Sequence, residues 1–304
     1  MLRVAVPLAL MFSVGCAVAQ QPNFDRVEIR AEPVKPGIAA LFGAGGNMVV
    51  SHGPDGTVLI DDQFAPLTPR IQAAIARLGA APVKYLINTH WHGDHAGGNA
   101  NFGGAGAILI AQDEVRTRLA AGATRGAAAT APAPAVALPV VTYRDSVTLH
   151  LNGDTLRLVH VPAAHTDGDT VVFWQRANVV HMGDVFFNRV TLPFIDLDSG
   201  GSARGMLAAV DRVLAMTNDA TVIIPGHGPV ARRADLVAYR AMLAEVIDAV
   251  ARGRAAGRTL AQIVAARPAA RWDTNPDAFI KGDAFVTAVH TSLAATPAPR
   301  RPNR

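Results

Sequence analysis

Seven consecutive residues, Thr89-His90-Trp91-His92-Gly93-Asp94-His95, set three imidazoles and a carboxylate directly behind a short apolar run at 83–88 (VKYLIN). That run, bounded by Pro82 and by the polar cluster itself, reads as a buried strand. Alternation along an extended segment puts His90 and His92 on one side. Gly93 lets the chain turn, so Asp94 and His95 return toward the same volume. Such groups crowd together in a folded core only when they share a cation. Imidazole and carboxylate without thiolate suit zinc, with manganese or iron as alternatives. A fold carrying this segment must therefore bring further ligands to it.

Candidates for those ligands follow in order. His165 stands in Ala164-His165-Thr166-Asp167-Gly168-Asp169, Asp184 in His181-Met182-Gly183-Asp184, and His227 in Pro225-Gly226-His227-Gly228. Each comes just after an apolar run that reads as a strand, where a glycine-bearing loop begins. Sites in open α/β sheets lie at such strand ends. A single histidine beside glycine says little; the three positions together say much more.

The remaining pattern is that of one α/β domain over 20–295. Strands are expected at 27–30, at 47–51 and 57–61 as a hairpin turned by Gly53-Pro54-Asp55-Gly56, at 83–88 and at 108–111. A helix is expected from Thr68 as N-cap, with Pro69 at its first position, to Gly79. Another follows at 113–119, then an Ala/Pro/Gly-rich surface loop at 120–139, placed over a site. Strands at 140–143, 147–149, 156–161, 170–174 and 179–182 lead to a helix at 204–216. A strand at 221–224 precedes a long helix at 234–251 and a helical remainder. That order suggests two similar halves packed sheet on sheet with helices outside, an αββα sandwich.

Composition removes several function classes. Half of the 304 residues are hydrophobic and 17% are charged, which suits a packed core and not a disordered chain. Beyond the N-terminus no apolar run has the length of a membrane span. The charge of +4 comes from scattered arginines, so no nucleic-acid partner is expected, only a small-molecule substrate. Residues 1–19 carry Arg3, an apolar stretch and Ala17-Val18-Ala19, the parts of a secretory signal peptide. Cleavage near Ala19 would make the protein periplasmic or secreted. It would also remove Cys16, the sole cysteine, and with it any disulfide or thiolate ligand. Lipidation at Cys16 is the alternative, although Ser13-Val14-Gly15 lacks the usual leucine. Residues 296–304 read as a frayed, basic, Pro-rich tail.

The HWHGDH segment resembles the HxHxDH signature of the metallo-β-lactamase superfamily, and AHTDG, HMGD and PGHG match its later motifs in order. The resemblance runs over 27–239. It implies the metallo-β-lactamase fold, with about two zinc ions at one edge of the sandwich. His90, His92 and His165 would hold the first ion, and Asp94, His95 and His227 the second. Asp184 matches the carboxylate that bridges both in glyoxalase II-like and lactonase-like members. Zinc β-lactamases with a cysteine ligand near that position are a poorer match.

On this resemblance the chain is expected to be a secreted dinuclear zinc hydrolase. A hydroxide between the metals would attack an ester, lactone, thioester or lactam carbonyl, with Asp94 as the catalytic carboxylate that orients it and relays its proton. Gly-x-Ser-x-Gly is absent, which argues against a serine hydrolase. The alternatives are a true β-lactamase, with Arg189 or Arg204 holding the drug carboxylate, an iron-dependent redox enzyme such as a persulfide dioxygenase, and a nuclease relative. Asp61 reads either as a group behind the metal loop or as a turn former. His181 reads as a core or surface histidine. Phe186, Phe187 and Phe194 either line an apolar mouth or fill the core.

Overall fold

The computed structural model describes residues 23–122 and 130–294. The expected signal peptide and basic tail lie outside those residues, and so does part of the 120–139 loop. Among the described residues no helix is long and apolar enough to cross a membrane.

Two sheets face each other. The first is built in chain order from β1 (Arg30–Lys35), β2 (Ile38–Phe42), β3 (Met48–Gly53), β4 (Gly56–Ile60), β5 (Val83–Ile87), β6 (Ile108–Gln112) and β7 (Val141–Tyr143). Its first four strands are antiparallel neighbours, and β4 to β7 run parallel. Parallel pairs need crossovers, supplied by α1 (Thr68–Arg77), by α2 (Gly93–Ala96) with α3 (Asn99–Gly104), and by α4 (Asp113–Ala121). The second sheet comprises β8 (Ser146–Leu151), β9 (Asp154–His160), β10 (Thr170–Trp174), β11 (Val179–His181), β12 (Val222–Ile224) and β13 (Ala231–Arg232). They lie in the order β13-β12-β11-β10-β9-β8. Helices α5 (Ala203–Met216), α6 (Arg233–Ala255), α7 (Leu260–Ala265) and α8 (Gly282–Ala294) complete the chain.

Period-two alternation separates the layers. Ile38, Ala40, Val49, Val58, Ile60 and Ile87 meet Leu158, Val172, Trp174 and Ile224 between the sheets. Their neighbours Leu41, Val50, Leu59 and Leu86 point the other way, onto Ile71 and Ile75 of α1 and Phe102 of α3. On the outer face of the second sheet, Val171, Phe173, Val180 and Ile223 bury against α5, α6 and α8. The result is the αββα sandwich.

Several local expectations change. The opening strand begins at Arg30 and pairs with β2, which the sequence reading did not contain. Pro33 interrupts the β-pattern there, yet β1 is an edge strand and tolerates the missing donor. Thr68 is helical with φ −48°, because a 3₁₀ turn at Ala65–Leu67 leads into α1; it does not cap the helix. The described part of the 120–139 loop packs against α3, where Asn99 Nδ2 donates to the Ala137 carbonyl at 3.0 Å.

Candidate metal centre

The residues singled out in the sequence meet at one edge of the sandwich. Asn88 to His95 leave the end of β5, and Gly93–Ala96 forms a single helical turn. His165 lies between β9 and β10, Asp184 in a 3₁₀ turn after β11, and His227 after β12. The two halves are stitched there. Asn47 donates from Nδ2 to the carbonyls of Pro225 (2.9 Å) and Gly228 (2.8 Å), and Thr170 N donates to Thr89 O at 2.8 Å.

Two ligand groups result. Donor atoms of His90, His92, His165 and Asp184 lie within 4.8 Å of one another, and so do those of Asp94, His95 and His227. Asp184 faces both. Its Oδ2 is 3.6 Å from His165 Nε2 and 3.9 Å from His90 Nε2, whereas its Oδ1 is 3.1 Å from His95 Nε2 and 3.4 Å from His227 Nε2. Asp94 Oδ2 stands 3.3 Å from His227 Nε2.

The other nitrogen of four of these rings is held from behind. His90 Nδ1 bonds Thr89 Oγ1 at 3.0 Å, and His92 Nε2 bonds Asp196 Oδ2 at 2.9 Å. His95 Nδ1 bonds Asp61 Oδ2 and His165 Nδ1 bonds the Phe194 carbonyl, both at 2.8 Å. Read as Nδ1 or Nε2 donors to oxygen, these rings turn a lone pair inward, the arrangement that metal ligands show. His90 Nε2 is buried without a hydrogen-bond partner among the described residues. His92 Nδ1 and His165 Nε2 approach to 2.9 Å, two nitrogens aimed at one point. An orphaned buried nitrogen and converging ring nitrogens fit a divalent cation of the nitrogen- and oxygen-binding type.

The protonation pattern of the metal-free protein differs between the groups. Burial drives His90 well below the ordinary imidazole range and His165 down to about 4. Burial also works against charge on His95 and His227, but the carboxylates around them prevail. Asp184, Asp94 and Asp61 raise His95 well above its usual value, and Asp184 and Asp94 raise His227 to about 9.

Asp61 has both features on which its two readings rest. It holds a left-handed backbone conformation, φ 59°, and lies fully buried under His95. His181 is buried as well, with Nε2 3.7 Å from Asp61 Oδ2. Asp196 and the Phe194 carbonyl were not foreseen as partners of His92 and His165. They belong to an irregular segment with no periodicity or motif to mark them. Phe186 fills core against Tyr239, Phe187 stacks on His227 at 5.5 Å, and Phe194 lies over His92 at 5.9 Å.

A sequence profile of the metallo-beta-lactamase superfamily matches residues 42–227, a span containing every one of these candidate ligands. The chain belongs to the metallo-beta-lactamase superfamily. Most members of that superfamily are hydrolases. A hydroxyacylglutathione hydrolase from Polaromonas sp. is 27% identical over 200 residues, covering 60% of this chain and 66% of the relative. A Mycobacterium leprae protein is 40% identical over 87 residues, and the chain spans just 38% of its length. Among solved structures, a metallo-beta-lactamase from Pontibacter korlensis superposes with TM-score 0.59 at 19% identity, over 71% of this chain and 99% of that one. The stereoselective inverting sec-alkylsulfatase Pisa1 from Pseudomonas sp. gives 0.66 at 18%, over 86% and 50%. Both share the superfamily's fold.

Proposed function

We propose that the protein is a dinuclear zinc hydrolase acting on an ester, lactone, thioester or lactam carbonyl. One observation carries this reading: Asp184 directs Oδ2 at His90 and His165 and Oδ1 at His95 and His227. His90, His92 and His165 would hold one ion, Asp94, His95 and His227 the other, and Asp184 both. Zinc ions there supply Lewis acidity and a water acidic enough to ionise near neutral pH. Asp94, with its side chain 29% exposed, is the carboxylate of the site that reaches solvent and can accept a proton from an incoming water. Phe194 and Phe187 keep water from the flanks of His92 and His227. Arg189, one cation considered for a drug carboxylate, is paired with Asp235 at 2.5 Å and gives a lactamase no particular support.

Export belongs to the same reading, on the pattern of residues 1–19, and mass spectrometry of the periplasmic protein should show a chain starting near Gln20. An intact N-terminus in the cytosol would remove this part. For the chemistry, the zinc-loaded protein is assayed on nitrocefin, acyl-homoserine lactones and S-lactoylglutathione. Hydrolysis of at least one is expected, with about two zinc ions per chain, and His90→Ala should lower zinc content and activity together. Full activity in a metal-depleted His90→Ala protein would end the metal-hydrolase reading.

A further inference from the structure

The chain beyond the superfamily match carries an aromatic ring to Phe194, which borders the candidate metal centre. Phe279 lies between α7 and α8 and is 79% exposed, more than any other large apolar side chain among the described residues. Its ring stands edge-to-face on Phe194, with centroids 6.1 Å apart and planes at 84°. Phe194 in turn stacks on His92 at 27° and meets His165 at 5.5 Å. A continuous aromatic wall thus runs from two candidate ligands out to solvent.

The wall is fixed from behind. Asn275 Nδ2 donates to the Val190 carbonyl at 2.6 Å, Ile280 N donates to Thr191 Oγ1 at 2.8 Å, and Gly282 N donates to Asp273 Oδ2 at 2.8 Å. A backbone so tethered is ordered before any ligand arrives, so binding against the ring it carries costs less ordering. Charge beside the rings is balanced: Asp196, two residues beyond Phe194, is held by His92, and Lys281, two residues beyond Phe279, donates to the Asn275 and Pro276 carbonyls. The two rings carry no charge of their own, and a hydrocarbon laid over them removes apolar surface from water.

We propose that Phe194 and Phe279 form a subsite for the uncharged apolar acyl chain of the substrate, beside the carbonyl that reacts. This rests on the hydrolase reading above and narrows its substrates to acyl esters or lactones with hydrocarbon chains. The zinc-loaded protein is tested on p-nitrophenyl esters from acetyl to decanoyl, and by calorimetry on octanoate and acetate. KM should fall about twofold per methylene, since one face of the chain stays in water. In Phe279→Ala the octanoyl-to-acetyl KM ratio should rise at least ~10-fold, and Phe279→Leu should recover most of the preference. The exposed ring carries little packing, and thermal unfolding checks that both variants keep the fold. An identical chain-length profile in Phe279→Ala would overturn the subsite. Wild-type protein that turns over no ester but binds octanoate in a Phe279-dependent way would count against the hydrolase and for the subsite. Octanoate bound equally by wild type and Phe279→Ala would overturn the subsite whether or not esters are hydrolysed.

Discussion

Asp61 Oδ2 lies 2.8 Å from His95 Nδ1, with both side chains fully buried. The same carboxylate accepts Thr89 N and Thr89 Oγ1, each at 2.7 Å. Burial alone would raise its pKa, but His95 and His181 beside it hold the group below the usual carboxylate value. It thereby orients His95 directly and His90 through Thr89.

Asp61→Asn isolates that charge, because asparagine also accepts the left-handed backbone that Asp61 adopts. The variant should fold with a loss of ~2 kcal/mol and bind metal roughly 10–100-fold more weakly. Calorimetric zinc titration and thermal unfolding measure the two effects. Unchanged metal affinity would reduce Asp61 to a turn former.

Proton release on metal binding should separate the two groups. His90 and His165 are already neutral at pH 7 in the metal-free protein, while His95 and His227 are protonated. A cation entering the second group must displace those protons. Its affinity should therefore rise with pH, by up to about tenfold per unit for each proton, until His227 titrates near 9. In the first group His90 and His165, already neutral, should release no protons between pH 6 and 8. Zinc titrations in two buffers of different ionisation enthalpy count the protons, and zero release at pH 7 would contradict this order.

The strands that feed the centre were legible because they are apolar, short and bounded by turn residues: 83–88 became β5 (Val83–Ile87), and the hairpin turned at Pro54-Asp55. The HWHGDH segment was legible because its spacing is itself a geometry. Helix α3 was not, since NANFGG contains some of the weakest helix formers, and the turn is held by the buried Phe102. Nor were Asp196 and Phe279. Asp196 reaches His92, and Phe279 reaches Phe194 beside it, through irregular chain whose course is set by tertiary hydrogen bonds such as Asn275 to Val190, which no local pattern encodes.

Gly46→Ala tests how tightly the centre is packed. A Cβ at Gly46 would fall on the imidazole of His95, and the backbone there is already fixed by Gly46 N to Asp94 O at 3.0 Å and by Gln63 Nε2 to Gly46 O at 2.7 Å. The effect is steric and local. We expect a stability loss of ~1–3 kcal/mol and, on the proposed dinuclear zinc centre, a fall from about two bound ions to about one. Metal analysis of the folded variant reads the second number directly; two ions retained would show that His95 can move aside at little cost.

Asp184→Asn asks whether one carboxylate serves two cations. The ionised group offers an oxygen to each ligand group, and in the metal-free protein it stays charged. Burial would raise its pKa, but His227 and His95 hold it well below the ordinary carboxylate range. Asparagine offers a single oxygen. Its amide must turn N–H toward either the His90–His165 side or the His95–His227 side, where a cation would meet a donor instead of an acceptor. Two cations also lose one of their compensating negative charges. Binding at one group should survive and the other should weaken sharply, with kcat/KM down at least ~10-fold, about 1.4 kcal/mol of transition-state stabilisation. Calorimetry resolves the two binding steps. Both retained at wild-type affinity, with hydrolysis intact, would mean that Asp184 shapes the loop after β11 and bridges nothing.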